Sequence, residues 1–307
     1  MRRLVIGSRG SALARWQAGW VQAELRRARP ELEVTIRIIR TQGDQAQSIP
    51  FDQLPGKGFF VKEIEEALMA ETIDLAVHSM KDLPADLPPG LTLGATTRRE
   101  DPRDALCSAA GIGLDELPRG ARVGTGSPRR AAQLLARRPD LDVRPIRGNV
   151  DTRVRKLRDG AVDAMVLAAA GIRRLAIDVP HVPLPVEVSL PAVGQGALGI
   201  EIRETDREVA ACVAILADAP TAAAVAAERR FLAALGGGCR VPIAALAEAE
   251  ETRLRMRGVV ARPDGSSVLR LEAEGTVAAP EELGDRLAAR ALDGGARELL
   301  DGGGAEA

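Results

Sequence analysis

Three times in its first half the chain sets a loop of Gly, Ser and Thr between an apolar run and an amphipathic one, with arginine in or beside the loop. The loops are GSRGS at Gly7–Ser11, GTGSPRR at Gly124–Arg130 and RGNVDTR at Arg147–Arg153. Repeated alternation of strand, glycine loop and helix leaves few architectures open, because each helix must bury its apolar stripe against a sheet. The reading is a layered α/β fold. Leu4–Ile6 predicts a strand; Ala14, Ala18, Val21, Leu25 and Ala28 step by four and three as a helix; Val34, Ile36 and Ile38 alternate as the next strand. Val61, Ile64 and Leu68 predict another helix and IDLAVHS another strand, in parallel layering.

The pattern breaks twice. RREDPRD, Arg98–Asp104, is charged, holds a proline and has no periodicity, so it reads as a crossing between domains. A second α/β set follows, and LPAVGQGALGIEIR, with Pro191, Gly194 and Gly196, reads as a crossing back. From Thr221 an Ala-rich helix runs into glycines. Leu254, Met256, Gly258 and Val260 then alternate against arginines, and PDG at 263–265 turns the chain into VLRLEAEG. This predicts an antiparallel hairpin in a smaller α+β domain, with a last helix from near Pro280.

Composition narrows the partners. With a formal charge of −1, a pI near 6.3 and 2% aromatic residues, the 307-residue chain has neither a basic field nor a stacking platform for nucleic acid. Three cysteines and two histidines without metal-ligand spacing argue against a disulfide framework or a zinc site. The first apolar run is too short for a signal peptide or a membrane span, so the expectation is a cytoplasmic protein with no membrane partner.

The chemistry lies in the loops. A helix N-terminus offers unpaired backbone N–H groups, and arginine adds a forked donor, so Arg9, Arg129, Arg130, Arg147 and Arg153 mark three anion seats. A single such arginine is most simply a solvated loop cap in so Arg-rich a chain; three seats together favour a ligand with several negative groups. Polycarboxylate and phosphate both fit. AVHSMKDLP, Ala76–Pro84, places His78, Lys81 and Asp82 at a strand end, where α/β folds keep ligands, and His78, Met80 and Asp82 share one face if the strand runs that far. The competing reading has Asp82 cap the turn into Leu83–Pro84. GQGALG, Gly194–Gly199, fits a dinucleotide fingerprint by letter, but a strand-like ALGIEIR follows it where a helix is required. In GGGCRVP, Gly236–Pro242, the glycines present Cys239, although an unpaired cysteine is more often a small buried hydrophobe.

Together IGSRGSALARWQ, TQGD, GKGFFVKEIE, AVHSMKDLP, GTGSPRR, RGNVDTR, LPAVGQGALGIE and GGGCRVP resemble, in order and over nearly the whole chain, the porphobilinogen deaminase (hydroxymethylbilane synthase) family. The resemblance implies two α/β domains like the halves of a periplasmic binding protein, flanking a cleft, and a smaller α+β domain with an antiparallel sheet. Their bounds would be 1–98 plus 193–216, 103–191 and 220–307. It implies a transferase that condenses four porphobilinogen molecules, with loss of ammonia, into linear hydroxymethylbilane. The growing chain would sit on a dipyrromethane cofactor held to Cys239 by a thioether. Asp82 matches the family's catalytic aspartate. Arg9, Ser11, Lys57, Lys81, Thr125, Ser127, Arg129, Arg130, Arg147, Arg153 and Arg174 match positions that hold acetate and propionate groups, with Arg129 and Arg130 expected to face the cleft. Gln53 and Phe59 depart from commoner family residues, as does Pro128, which suits a first helical position. The resemblance further implies a monomer. The rival is a non-catalytic polycarboxylate sensor on the same fold, which has no need of a tethered thiol.

Overall fold

The computed structural model describes residues 3–45, 61–237 and 241–301. Gln53, Lys57, Phe59 and Cys239 lie outside the described residues. The chain opens with β1 (Arg3–Ser8), α1 (Ala12–Ala28), β2 (Glu33–Ile38), a short α2 (Gln42–Gln45), α3 (Lys62–Met69), β3 (Leu75–Ser79) and β4 (Leu91–Thr96). It then builds β5 (Asp104–Ser108), β6 (Arg122–Gly124), α4 (Pro128–Arg137), β7 (Asp142–Arg144), α5 (Val150–Arg158), β8 (Ala164–Ala168), α6 (Ala169–Arg174) and β9 (His181–Pro183). β10 (Leu198–Arg203), α7 (Arg207–Val213) and α8 (Ala219–Ala234) follow. Last come β11 (Ile243–Glu250), β12 (Arg253–Ala261), β13 (Val268–Thr276), α9 (Pro280–Asp293) and α10 (Ala296–Asp301). Two compact units result, Met1–Glu100 with Gly196–Ala222 and Asp101–Gln195 with Ala223–Ala307.

The first unit is a five-stranded sheet of order β2-β1-β3-β10-β4. β1 pairs in parallel with β2 and β3, whereas β10 runs antiparallel to β3 and β4. Parallel layering therefore holds only for the strands joined by consecutive helices. β10 arrives after the chain has left and returned, and no crossover helix dictates its direction. α1 buries Ala14, Ala18, Val21 and Leu25 as the spacing requires; Ala28 is exposed, and Gln17 is buried on that face. Leu4, Ile6, Val77 and Ile200 meet this helix in the core.

The second unit holds another mixed sheet, β7-β6-β8-β5-β9, and the antiparallel β11-β12-β13. β6 is parallel to β7 and β8, and β5 is antiparallel to β8 and β9. The three-stranded sheet is covered on both faces. Ala245, Ala247, Leu254, Met256 and Val260 pack on Phe231 of α8 and on Leu283 and Leu287 of α9. Ala244, Leu246, Val259 and Ala261 pack on Ala132 of α4 and on Leu190. This double burial is why β11 begins as a continuous apolar run instead of alternating.

The β12–β13 turn presses on α4. Gly265 has φ +73°, and a Cβ there would lie 2.6 Å from both the Ala132 carbonyl oxygen and the Ala136 nitrogen. Gly120 has nearly the same φ, +74°, with nothing within 4 Å of such a Cβ. Gly120→Ala should therefore cost about 1 kcal/mol, for backbone conformation alone, and Gly265→Ala about 3 kcal/mol or more. Urea unfolding of the two variants checks the gap; equal losses would mean that the close approach to α4 is not a constraint.

Candidate functional site

In the first unit the site is built where β1 and β3 end. Ser11 caps α1, its Oγ accepting the Ala14 N–H at 3.2 Å, so the loop after β1 is fixed by the helix it starts. After β3 the chain makes one 3-10 turn, Met80–Asp82, rather than continuing as strand. Met80 is buried and donates its N–H to Ala197 at 3.0 Å, which anchors the turn to the residue preceding β10. The turn closes through Leu83 N–H to the Met80 carbonyl, without the Asp82 carboxylate. Asp82 lines a pocket with Arg9, Ser11, Gln17, Val61, His78 and Ser79. Gln17, the unforeseen buried residue of α1, donates from Nε2 to Ser79 Oγ at 2.8 Å across that pocket. Lys81 occupies the same turn as Asp82.

In the second unit the loops after β6 and β7 lie side by side, since Thr125 N–H donates to the Arg144 carbonyl at 2.9 Å. Both sit at the carboxyl ends of parallel strands. Thr125 Oγ1 accepts from Ser127 N–H at 3.2 Å, and Ser127 Oγ accepts from Arg130 N–H, capping α4, whose first residue is Pro128. At the neighbouring loop Arg153 Nε donates to the Gly148 carbonyl at 2.7 Å and Lys156 Nζ to the Arg147 carbonyl at 3.0 Å. Arg174 closes α6.

Arg129 and Arg130 are buried, 5% and 6% exposed, and both are turned onto the fully buried carboxylate of Asp104. Arg129 Nη1 donates to Oδ2 at 2.8 Å; Arg130 donates to Oδ1 from Nε at 3.0 Å and from Nη2 at 2.6 Å. Ser189 Oγ and Gln195 Nε2 also donate to it, each at 2.9 Å. Burial would push this carboxyl up, but the two guanidiniums outweigh burial and hold it well below the usual carboxylate range. Sequence reasoning missed all three: Asp104 and Gln195 fell in segments read only as crossings, and Ser189, just before the second of them, in no motif. The available signal was an aspartate opening an apolar run, DALCS, in a chain with two adjacent arginines elsewhere.

Two guanidiniums share one carboxylate here, so the cluster carries an uncompensated buried positive charge that suits a further anionic group. Among the described residues no group of three or more His, Cys, Asp or Glu side chains is placed to hold a metal ion. No single helix among them is long and apolar enough to cross a membrane.

The family model for the porphobilinogen deaminase dipyromethane cofactor binding domain matches residues 4–211, and that for the family's C-terminal domain matches 222–293. The chain belongs to the porphobilinogen deaminase family. It is 51% identical over 298 residues to the porphobilinogen deaminase of Syntrophus aciditrophicus, covering 96% of this chain and 97% of that one. It is 52% identical to that of Syntrophotalea carbinolica, over 97% and 95% of the two chains. Among solved structures it is similar to the periplasmic aliphatic sulphonate binding protein SsuA from Escherichia coli. There the TM-score is 0.41 and the identity 14%, over 76% of this chain and 70% of the other.

Asp104→Asn leaves two buried guanidiniums without their counter-charge and should cost about 3–5 kcal/mol. Asp115→Asn, whose partner Arg137 is exposed, should leave unfolding indistinguishable from the wild type. Equilibrium unfolding in urea checks both, and a mild Asp104→Asn would mean that the arginines do not depend on it.

Proposed function

We propose that this chain condenses four porphobilinogen molecules head to tail, releasing ammonia, into linear hydroxymethylbilane, with Asp82 as the reacting carboxylate and Cys239 as the cofactor anchor. The observation that carries the reading is the meeting of Asp82 with Arg9 and Ser11 on one pocket, in a chain of this family. Dipyrromethane, joined to Cys239 by a thioether, supplies the pyrrole to which substrate is added.

Asp82 has two tasks that one carboxylate can perform. It accepts hydrogen bonds from pyrrole N–H groups, which are donors only. It also faces the positive charge that develops on the substrate as the carbon–nitrogen bond breaks and the electron pair leaves with ammonia. The free α-carbon of the terminal pyrrole would attack that cation, and Asp82 would take the proton this carbon then loses and pass it to the departed ammonia, so that each addition releases one ammonium ion overall. Arg9, Ser11, Lys57 and Lys81 on the first unit's segments, and Thr125, Ser127, Arg129, Arg130, Arg147, Arg153 and Arg174 on the second's, bind the acetate and propionate groups. At Arg129 and Arg130 a ligand carboxylate shares the guanidiniums with Asp104 and neutralises the charge that Asp104 leaves over. The protein works as a cytoplasmic monomer without nucleic acid or membrane, on a three-domain plan of 1–98 plus 193–216, 103–191 and 220–307.

Intact-mass measurement of purified protein should show a covalent dipyrrole increment that is absent in Cys239→Ser; an unmodified, fully active protein would overturn the anchor. Asp82→Asn should retain the increment and lose about 100-fold or more in turnover. Near-normal turnover in that variant would return Asp82 to the role of a turn residue.

A further inference from the structure

One buried acid–base cluster in the first unit has no part in the mechanism above. His78 on β3 and Glu201 on β10 meet diagonally across two paired strands, where Gly199 stands opposite His78 and Glu201 opposite Ala76. Nε2 and Oε2 are 3.0 Å apart, with His78 4% and Glu201 0% exposed. The other Glu201 oxygen, Oε1, is buried and has no hydrogen-bond partner among the described residues, and the same holds for Oε1 of Glu65 on α3. Burial, then the charge of Glu201, then that of Glu66, pushes the Glu65 carboxyl up to about 7. Orphaned carboxylate oxygens in an interior are costly, and packing alone would favour an apolar pair here. Among the described residues, Gly199 and the Met80, Leu83 and Leu93 side chains beside it supply no donor to these acids. The cluster adjoins the site, because His78 lines the same pocket as Asp82.

Nε2 of His78 faces Glu201 Oε2, so Glu201 holds that edge of the ring, and Nδ1 remains as the polar atom on the other edge. We propose that Glu201 is a positioning residue for the condensation: it fixes His78 in the wall of the Asp82 pocket, and the charge on Glu65, the acid that neighbours Glu201, adjusts the field in which the substrate cation develops. This rests on Asp82 being the reacting carboxylate. Among the described residues the ionisable groups around the cluster are Glu201 from β10, Glu65 and Glu66 from α3, Arg9 from the loop after β1, and Lys81 and Asp82 from the turn after β3; Gln17 from α1 and Ser79 are neutral.

The sign follows from Glu65. Below about pH 7 its carboxyl is neutral, and above it one more negative charge stands beside Glu201, the partner of the pocket-lining His78. The rate should accordingly rise as pH increases through that range.

The test is a series of kcat and KM for porphobilinogen from about pH 5.5 to about pH 9, on holoenzyme whose dipyrrole load is verified by intact mass. Wild type should show a rising limb near neutrality and Glu65→Gln should lose it. Glu201→Gln keeps an acceptor for Nε2 but not the charge; its kcat should fall about tenfold with KM within about twofold, and the limb should move. If Glu201→Gln does not fold, Glu65→Gln decides, since its side chain lies on a half-buried helix position. Wild-type limbs in the folded variants overturn the inference, as does loss of the dipyrrole load as the sole defect. Asp82→Asn, measured in parallel, separates the two readings. A slow Asp82→Asn beside unchanged limbs in the glutamate variants overturns this inference alone, whereas a near-normal Asp82→Asn overturns the reading beneath it as well.

Discussion

The second unit is organised around one carboxylate. Asp104 receives five hydrogen bonds, from Arg129, twice from Arg130, from Ser189 and from Gln195, and these donors come from α4 and from the segment that leads out of the unit. Leu190 joins the same web, accepting from Arg129 Nη1 and Gln133 Nε2 while its N–H donates to Gln133 Oε1. Removing three charges from water is expensive, and a hydrophobic replacement of similar volume would often be as stable. Stability alone therefore does not account for the arrangement. What it supplies is geometry: the N-terminus of α4, the start of β5 and the stretch through Gln195 are tied to a common point, and the two arginines are preorganised in a dry setting with one positive charge to spare.

The two units solve the same problem in different ways. In the second, cationic side chains are pinned by protein carboxylate and backbone carbonyls before any ligand arrives, as with Arg130 Nη1 on the Val166 carbonyl and Arg153 on Gly148. Such pinning lowers the conformational entropy lost when a carboxylate binds. In the first, the helix cap at Ser11 and the 3-10 turn at Met80–Asp82 fix the backbone, and the Asp82 carboxylate is not spent on closing that turn. A binding seat benefits from groups held in advance; a group that must accept N–H donors and transfer a proton needs lone pairs in reserve.

Much of this was legible in the residues. The step of Ala14, Ala18, Val21 and Leu25, the alternation in β12 and the Pro128 start of α4 are local patterns, and local sterics and burial enforce them directly. The fingerprint-like GQGALG was rightly refused, for Leu198–Arg203 is a strand. What the sequence concealed is direction and partnership. Nothing in LGIEIR or DALCS says that each strand runs antiparallel to its neighbours, because strand direction is set by where the chain re-enters a sheet. Asp104 and Arg130 are 26 positions apart and Glu201 and His78 are 123 apart, beyond any periodicity.

Those long-range partners also explain why a family pattern reads more clearly than its physics. GTGSPRR names two arginines but not the aspartate that orients them, and AVHSMKDLP names His78 and Asp82 but not the Glu201 that meets the first of them. In each case the motif holds the cationic or titratable member, and a residue from a crossing segment or a returning strand holds the carboxylate it meets. A loop motif alone would leave Arg130 solvated and the His78 ring without the carboxylate that holds it. Only after the chain closes β5 and β10 into their sheets are these groups held in place, so the geometry of the site follows from the two antiparallel strands that the loop motifs do not contain.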